Sequence, residues 1–212
     1  MSEASYSKSA LIIVDMQNDF VHPEGGIAFR AAENPDAGID IPFIQGTIPH
    51  VKQIAGAFRA AGRPVVYVTH VVRADRSDAH YPYWRLPRLS GNRTFIAEGS
   101  WGAQIVEELK PHEGEHVIVK RGYDGFANTT LDTVLRNLGV TTCVVVGVMT
   151  GVCVSSTVRG GVELNYHMTV INDAVADPGR ETHATELKIL DRNFAAVKTT
   201  SEVIALVGSD GR

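Results

Sequence analysis

Three residues of this 212-residue chain are of types that together do covalent chemistry on a carbonyl group: Asp15, Lys120 and Cys153. Cys153 stands in GVMTGVCVSSTV (residues 147–158), just past a run of valines, where a strand pattern gives way to a helical one. In a core, a free cysteine is a small hydrophobe. At the start of a helix its thiol pKa is lowered. A carboxylate can then take its proton, and an ammonium can hold that carboxylate ionised and in place. Asp15 ends the apolar run of LIIVDMQNDF, and Lys120 ends that of HVIVKRGYDGF. Singly, each has a plainer use: the aspartate as a loop cap, the lysine as a solvated strand end, the cysteine as packing. Their occurrence at three separate strand ends favours one site. Cys143, which opens CVVVGV, reads as core.

These side chains meet only if the strands that carry them share a sheet. Apolar, β-branched runs at Ala10–Val14, Pro64–Thr69, His116–Lys120, Thr142–Val148, Met168–Ile171 and Ala196–Thr199 predict six strands. Helical patterns lie between them at Pro49–Ala61, Ala103–Leu109, Thr130–Leu138, Cys153–Asn165 and Glu181–Phe194. Near-continuous apolar strands alternating with helices imply a parallel sheet covered on both faces. The expected fold is therefore α/β: a three-layer, doubly wound (Rossmann-like) six-stranded parallel sheet. In such sheets ligands sit beyond the carboxyl ends of the strands. Residues 21–47 and 71–102 break the rhythm, and long connections of this kind are usually lids or interface loops. A single domain is expected over 10–207, with loose ends at 1–9 and 208–212.

Composition removes several function classes. Net charge is −4, so no basic field invites nucleic acid or an anionic membrane. No apolar stretch approaches the roughly 18 residues of a membrane span, and the first residues lack the apolar core of a signal peptide. Two cysteines make no disulfide framework, so a cytoplasmic protein with free thiols is expected. No G-x-G-x-x-G or G-x-x-x-x-G-K follows the first strand, and no cofactor is expected.

The motifs VDMQNDF (14–20), VKRGYDGFANTTLD (119–132) and GVMTGVCVSSTVRGG (147–161) resemble those of the isochorismatase-like cysteine hydrolases. The resemblance spans nearly the whole chain and implies a catalytic triad of Asp15, Lys120 and Cys153. It also implies a cis peptide between Val148 and Met149, with the backbone N–H groups of Met149 and Cys153 forming an oxyanion hole. The implied reaction is hydrolysis of an amide-type C–N bond through a thioester, Asp15 shuttling the proton. Family members form homodimers or homotetramers, for which the two long loops are the candidate interface.

The same likeness narrows the substrate. Zinc nicotinamidases of this superfamily carry Asp-x-His after the second strand. Here His70 is followed by Val71, Val72 and Arg73, and Asp78 and His80 stand inside the loop. A catalytic zinc needs three or four convergent ligands, so no metal is expected. GSWGAQIVEEL (99–109) is most similar to the ureidoacrylate and biuret hydrolases, implying a small linear carbamoyl, ureido or amide substrate. Candidate substrate-binding residues are Gln17, Phe20, Trp84, Trp101, Tyr123 and Phe126, with Tyr81 and Tyr83 in the lid. Arg85, Arg88 and Arg93 there could pair with a substrate carboxylate, surface or subunit contacts being the commoner use of such arginines. Core or interface packing is the competing use for about half of the aromatics. The alternatives are a nicotinamidase-type amidase and a non-catalytic thiol sensor on the same frame. A sensor needs Cys153 alone and leaves Asp15 and Lys120 without a task.

Overall fold

The computed structural model describes residues 6–79 and 94–209. Tyr81, Tyr83, Trp84, Arg85, Arg88, Arg93 and His80 lie outside the described residues. In chain order the elements are β1 (Ser9–Val14), α1 (Asn18–Val21), α2 (Gly26–Glu33), α3 (Ile41–Gln45) and α4 (Thr47–Ala60). There follow β2 (Val65–His70), β3 (His116–Lys120), α5 (Leu131–Asn137), β4 (Thr142–Val148) and α6 (Ser155–Glu163). The chain continues through β5 (His167–Ala176), α7 (Arg180–Asn193), β6 (Ala196–Lys198) and α8 (Thr200–Ser209). No helix among the described residues is long and apolar enough to cross a membrane.

All six strands pair in parallel in the order β3-β2-β1-β4-β5-β6. The central strand β1, SALIIV, is buried along its whole length because alternate side chains feed two cores. Leu11 and Ile13 belong to one core with Val51, Ile54 and Phe58 of α4 and Val203 and Val207 of α8. Ala10, Ile12 and Val14 belong to the other core with Leu131 and Leu135 of α5, Val158 of α6 and Leu190 of α7. Each fully buried aliphatic or aromatic side chain contributes about 1.5–3 kcal/mol through the water it sheds. Three layers result, as the alternation of elements predicts. The chain leaves β1 toward β2 and β3, then returns to β4 on the other side of β1. That reversal opens a crevice at the carboxyl ends of β1 and β4.

Several boundaries differ from the sequence reading. Ala103–Leu109 is not a helix but two 3-10 turns, Trp101–Ala103 and Glu107–Leu109, with Gln104 extended between them. The stretch pairs instead with the chain leaving β1. Val106 N donates to Met16 O at 3.0 Å, and Asn18 N donates to Gln104 O at 2.8 Å. These tertiary hydrogen bonds override local helix propensity, while Val106 and Leu109 remain buried.

Residues 21–47 hold α2 and α3 rather than a structureless loop. Strand β5 runs five residues beyond Ile171, through Asn172 and Asp173, whose polarity hides the continuation. Asp173 Oδ1 there caps α8, accepting from Thr200 N at 2.9 Å and Thr200 Oγ1 at 2.7 Å. Part of what the sequence suggests as loose ends, residues 6–9 and 208–209, is structured. Tyr6 is buried and hydrogen bonds to Thr169 at 3.0 Å, Ser9 opens β1, and α8 continues through Gly208 to Ser209.

Candidate active site

The crevice collects side chains from four strand ends. Beyond Val14 the chain turns sharply, and Asp15 takes a left-handed backbone with φ of 52°. Aspartate tolerates that region better than most residues, and such strain persists where surrounding contacts enforce it. Lys120 is the last residue of β3 and His70 the last of β2. Beside them, Gly147 near the end of β4 has φ of +111°. A Cβ there would lie 2.0 Å from Val14 O, so only glycine lets β4 approach β1 so closely. The Val148–Met149 peptide bond is cis. A π turn, Thr150–Val154, then carries Cys153 into the crevice.

Asp15, Lys120 and Cys153 converge there, all buried. Lys120 Nζ donates to Asp15 Oδ2 at 2.8 Å, to Cys153 Sγ at 3.3 Å and to Gly122 O at 3.0 Å. Asp15 Oδ1 is buried with no hydrogen-bond partner of standard geometry among the described residues. The thiol stands beside that carboxylate. His70 completes the cluster: a ring nitrogen, a carboxylate oxygen of Asp15 and Cys153 Sγ all lie within 4.8 Å of one another. Tyr123 closes over His70 edge-on, ring centroids 6.3 Å apart.

Electrostatics here are those of a buried, compensated site. Burial raises the Asp15 pKa above its ordinary value, against the pull of Lys120. Burial works against the Lys120 ammonium, but Asp15 and Cys153 together hold its pKa above the ordinary value. The Cys153 thiol is pushed up, first by burial and then by the Asp15 charge, with Lys120 pulling it back. This corrects the expectation of a thiol acidified by a helix N-terminus. Helix α6 begins two residues later, at Ser155, and desolvation dominates in so closed a site. Cys143, buried within β4, is pushed up to about 12 by burial with no ammonium to relieve it.

The remaining candidates have separate positions. Gln17 is a clamp: its side chain accepts from His70 N at 2.8 Å and donates to His70 O at 2.9 Å and Ala103 O at 2.8 Å. Phe20 packs edge-on to Phe95 in the α4-side core, and Phe126 stacks on Tyr166 in the other. Trp101 is 44% exposed and edge-on to His22. Tyr123 is in ring contact with a member of the cluster, His70. Met149 is buried at the start of the π turn, and its carbonyl accepts from Val152 N and Val154 N, each at 3.1 Å.

Sequence reasoning gave His70 a minor place and missed Thr157, Asp177 and His183. Thr157 Oγ1 donates to Cys153 O at 2.7 Å and accepts from Gly125 N at 2.9 Å. Asp177 follows the true end of β5, and a census of strand ends that stops at Ile171 passes it by.

Asp15, His70 and Cys153 also form the one three-ligand cluster of metal-binding type among the described residues. They do not fit a divalent cation, because the Lys120 ammonium already stands 2.8 Å and 3.3 Å from two of them.

A doubly wound α/β sheet with a buried thiol, carboxylate and ammonium at its strand ends defines an enzyme of the cysteine hydrolase class. The chain belongs to the Isochorismatase domain family, whose model matches residues 9–202. It is 36% identical to ureidoacrylate amidohydrolase RutB of Agrobacterium fabrum, over 95% of this chain and 90% of that one. It is 34% identical to RutB of Variovorax paradoxus, over 82% and 70%. It superposes on the solved cysteine hydrolase from Pseudomonas syringae pv. phaseolicola with a TM-score of 0.83 and 28% identity, covering 99% of each chain. For N-carbamoylsarcosine amidase from Thermoplasma acidophilum the TM-score is 0.71 at 30% identity, covering 91% of this chain and 96% of that one.

Proposed function

We propose that the protein is a metal-independent amidohydrolase that cleaves a small linear ureido or carbamoyl compound through a thioester on Cys153. The observation that carries this reading is the placement of Lys120 Nζ between Asp15 Oδ2 and Cys153 Sγ. When the thiol proton passes to Asp15, the ammonium exchanges a carboxylate partner for a thiolate, and the charge of the site is unchanged. A buried site therefore avoids the desolvation cost of creating a new ion. The raised thiol pKa is compatible with this, because the thiolate forms as attack begins and is not stored.

In the proposed cycle Sγ bonds to the substrate carbonyl carbon, and the oxyanion rests on the backbone N–H groups of Met149 and Cys153. Asp15 then gives its proton to the departing nitrogen as the C–N bond breaks, leaving an S-acyl (for a ureido substrate, S-carbamoyl) enzyme. Asp15 next takes a proton from water, which attacks the same carbon. The acid is released and the proton returns to Sγ. Relatives named ureidoacrylate amidohydrolase and N-carbamoylsarcosine amidase support a ureido or carbamoyl group as the part recognised. Assembly as a homodimer or homotetramer belongs to the same reading, supported by the half-exposed Val117 and Val119 on the edge strand β3.

The deciding experiment measures ammonia release from a panel of ureido, carbamoyl and aromatic amides, with intact mass of rapidly quenched enzyme. Ureido or carbamoyl compounds are expected to exceed nicotinamide in kcat/KM by more than about tenfold, or about 1.4 kcal/mol in transition-state binding. An adduct on Cys153 is expected in the quenched enzyme. Equal rates, or a preference for nicotinamide, would defeat the substrate assignment; turnover by a Cys153→Ala variant would defeat the mechanism.

A further inference from the structure

The π turn that carries Cys153 is gripped from outside by the end of β5 and the start of α7. Gly151 N donates to Asp177 Oδ2 at 2.7 Å, and Thr150 Oγ1 lies 2.9 Å from His183 Nδ1. Within the turn, the N–H groups of Val152 and Val154 share one acceptor, Met149 O. The Gly151 peptide is thus held by Asp177, at a residue type with the widest backbone freedom. A Cβ at residue 151 would stand 3.1 Å from Asp177 Oδ2, so the tight approach itself favours glycine.

Asp177 is nearly buried and is held in turn. Its Oδ1 accepts from Thr182 Oγ1 at 3.3 Å, and the same hydroxyl reaches Gly179 O at 2.7 Å. His183 is braced by Phe43 of α3, edge-on with centroids 5.0 Å apart. Arg180 ties the same region together through Asp40 at 2.7 Å and the Phe43 ring at 4.4 Å.

We propose that Asp177 and His183 are positioning residues for Cys153: they lock Thr150 and Gly151 so that Sγ faces Lys120 and Asp15. The inference rests on the reading of Cys153 as nucleophile. An ionic acceptor makes the Gly151 contact one of the stronger hydrogen bonds available to a backbone N–H. Loss of such an anchor lets the turn relax, and a misplacement of about 1 Å at a reacting centre costs on the order of a hundredfold in rate.

The test compares Asp177→Ala, Asp177→Asn and the parent enzyme by steady-state kinetics, by the rate of Cys153 alkylation with iodoacetamide (intact mass) and by thermal unfolding. Asp177→Ala is expected to lose about tenfold or more in kcat with KM within about twofold, and its alkylation to slow about fivefold or more. Asp177→Asn is expected to recover most of both. Its amide oxygen still accepts from Gly151, and its amide nitrogen can donate to Thr182 Oγ1.

Alkylation needs no amide substrate, so it judges the positioning role even if ureido compounds prove not to be turned over. Alkylation of Asp177→Ala within about twofold of the parent overturns the proposal, as does an Asp177→Asn variant as impaired as Asp177→Ala. Should Asp177→Ala fail to fold, Thr150→Val and His183→Ala decide by alkylation. Because they break one shared contact, the double variant is expected to match the worse single variant, and full additivity of two losses, or no loss in either, overturns the role.

Discussion

Lys120 Nζ and Asp15 Oδ2 form an ion pair of 2.8 Å from which solvent is entirely excluded. The pair joins side chains 105 residues apart in the chain. Its ammonium also reaches the Cys153 sulfur, so a proton moved between thiol and carboxylate stays within reach of one cation. Breaking the pair from either side is expected to have unequal consequences. Lys120→Met leaves a buried carboxylate uncompensated and should cost about 3–5 kcal/mol of stability. Combining it with Asp15→Asn should restore part of that loss. Urea denaturation of the single and double variants checks this. Turnover should fall by several orders of magnitude in each, because groups that act as a unit fail as a unit.

The two cysteines should separate cleanly. Cys153→Ala is expected to abolish ammonia release while leaving the thermal midpoint close to that of the parent. Cys143→Ala should keep activity and lose about 1 kcal/mol of stability through a small cavity. Iodoacetamide should modify Cys153 alone in the folded enzyme, since the Cys153 thiol stands beside Asp15, which can take its proton, while Cys143 is fully buried within β4. An inactive, folded Cys143→Ala would contradict the assignment.

The pH dependence follows from the directions of the shifts. Asp15 acts as base only when ionised, and its pKa is raised above 3.8, so the acid limb of kcat/KM should lie above the ordinary carboxylate range. Lys120 is raised above 10.5, so the cation persists throughout the neutral and mildly alkaline range. For stability the sign is the same for both groups. A raised folded-state pKa contributes stability that is full below the unfolded pKa and is lost as pH rises through the folded one. Asp15 therefore contributes most below pH 3.8 and loses that contribution above it, while the Lys120 contribution fades only above pH 10.5. The two titrate as a pair, and apparent values belong to the pair. A pH–rate profile with urea midpoints at each pH measures both effects.

Exhaustive chelation should leave activity unchanged, with or without added zinc afterwards. The physical ground is the ammonium standing against Asp15 and Cys153, where a dication would be repelled. Loss of activity on chelation, restored by zinc, would refute this.

Two glycines with positive φ should respond differently to alanine. At Gly62, φ +64°, a Cβ meets nothing within 4 Å, so Gly62→Ala should cost only about 1–2 kcal/mol of backbone strain. At Gly147, φ +111°, the Cβ would be driven onto Val14 O at 2.0 Å. Gly147→Ala should therefore cost more than about 3 kcal/mol and disturb the β1–β4 crevice. Thermal unfolding of both variants, with activity on the folded fraction, tests the contrast.

Much of this protein is legible in its residues because the relevant signals are local. Valine and isoleucine runs mark strands by their own conformational preference, and Asp15, Lys120 and Cys153 stand out as reactive types where those runs end. Other features depend on partners distant in the chain. His70 joins the site because β2 lies between β1 and β3 in the sheet, an order that no local pattern encodes. Residues 103–109 carry helical spacing yet pair with Met16 and Asn18, since hydrogen bonds from the chain leaving β1 outweigh a weak local propensity. Asp177 is hidden in the sequence because polar Asn172 and Asp173 interrupt β5, and only pairing with β4 carries the strand on to Ala176. The state of the thiol was likewise decided by the tertiary structure. Residue type and a nearby helix suggest an acidic Cys153, but a pKa is set by the solvent and charges around the group, and the fold buries this one beside the Asp15 carboxylate.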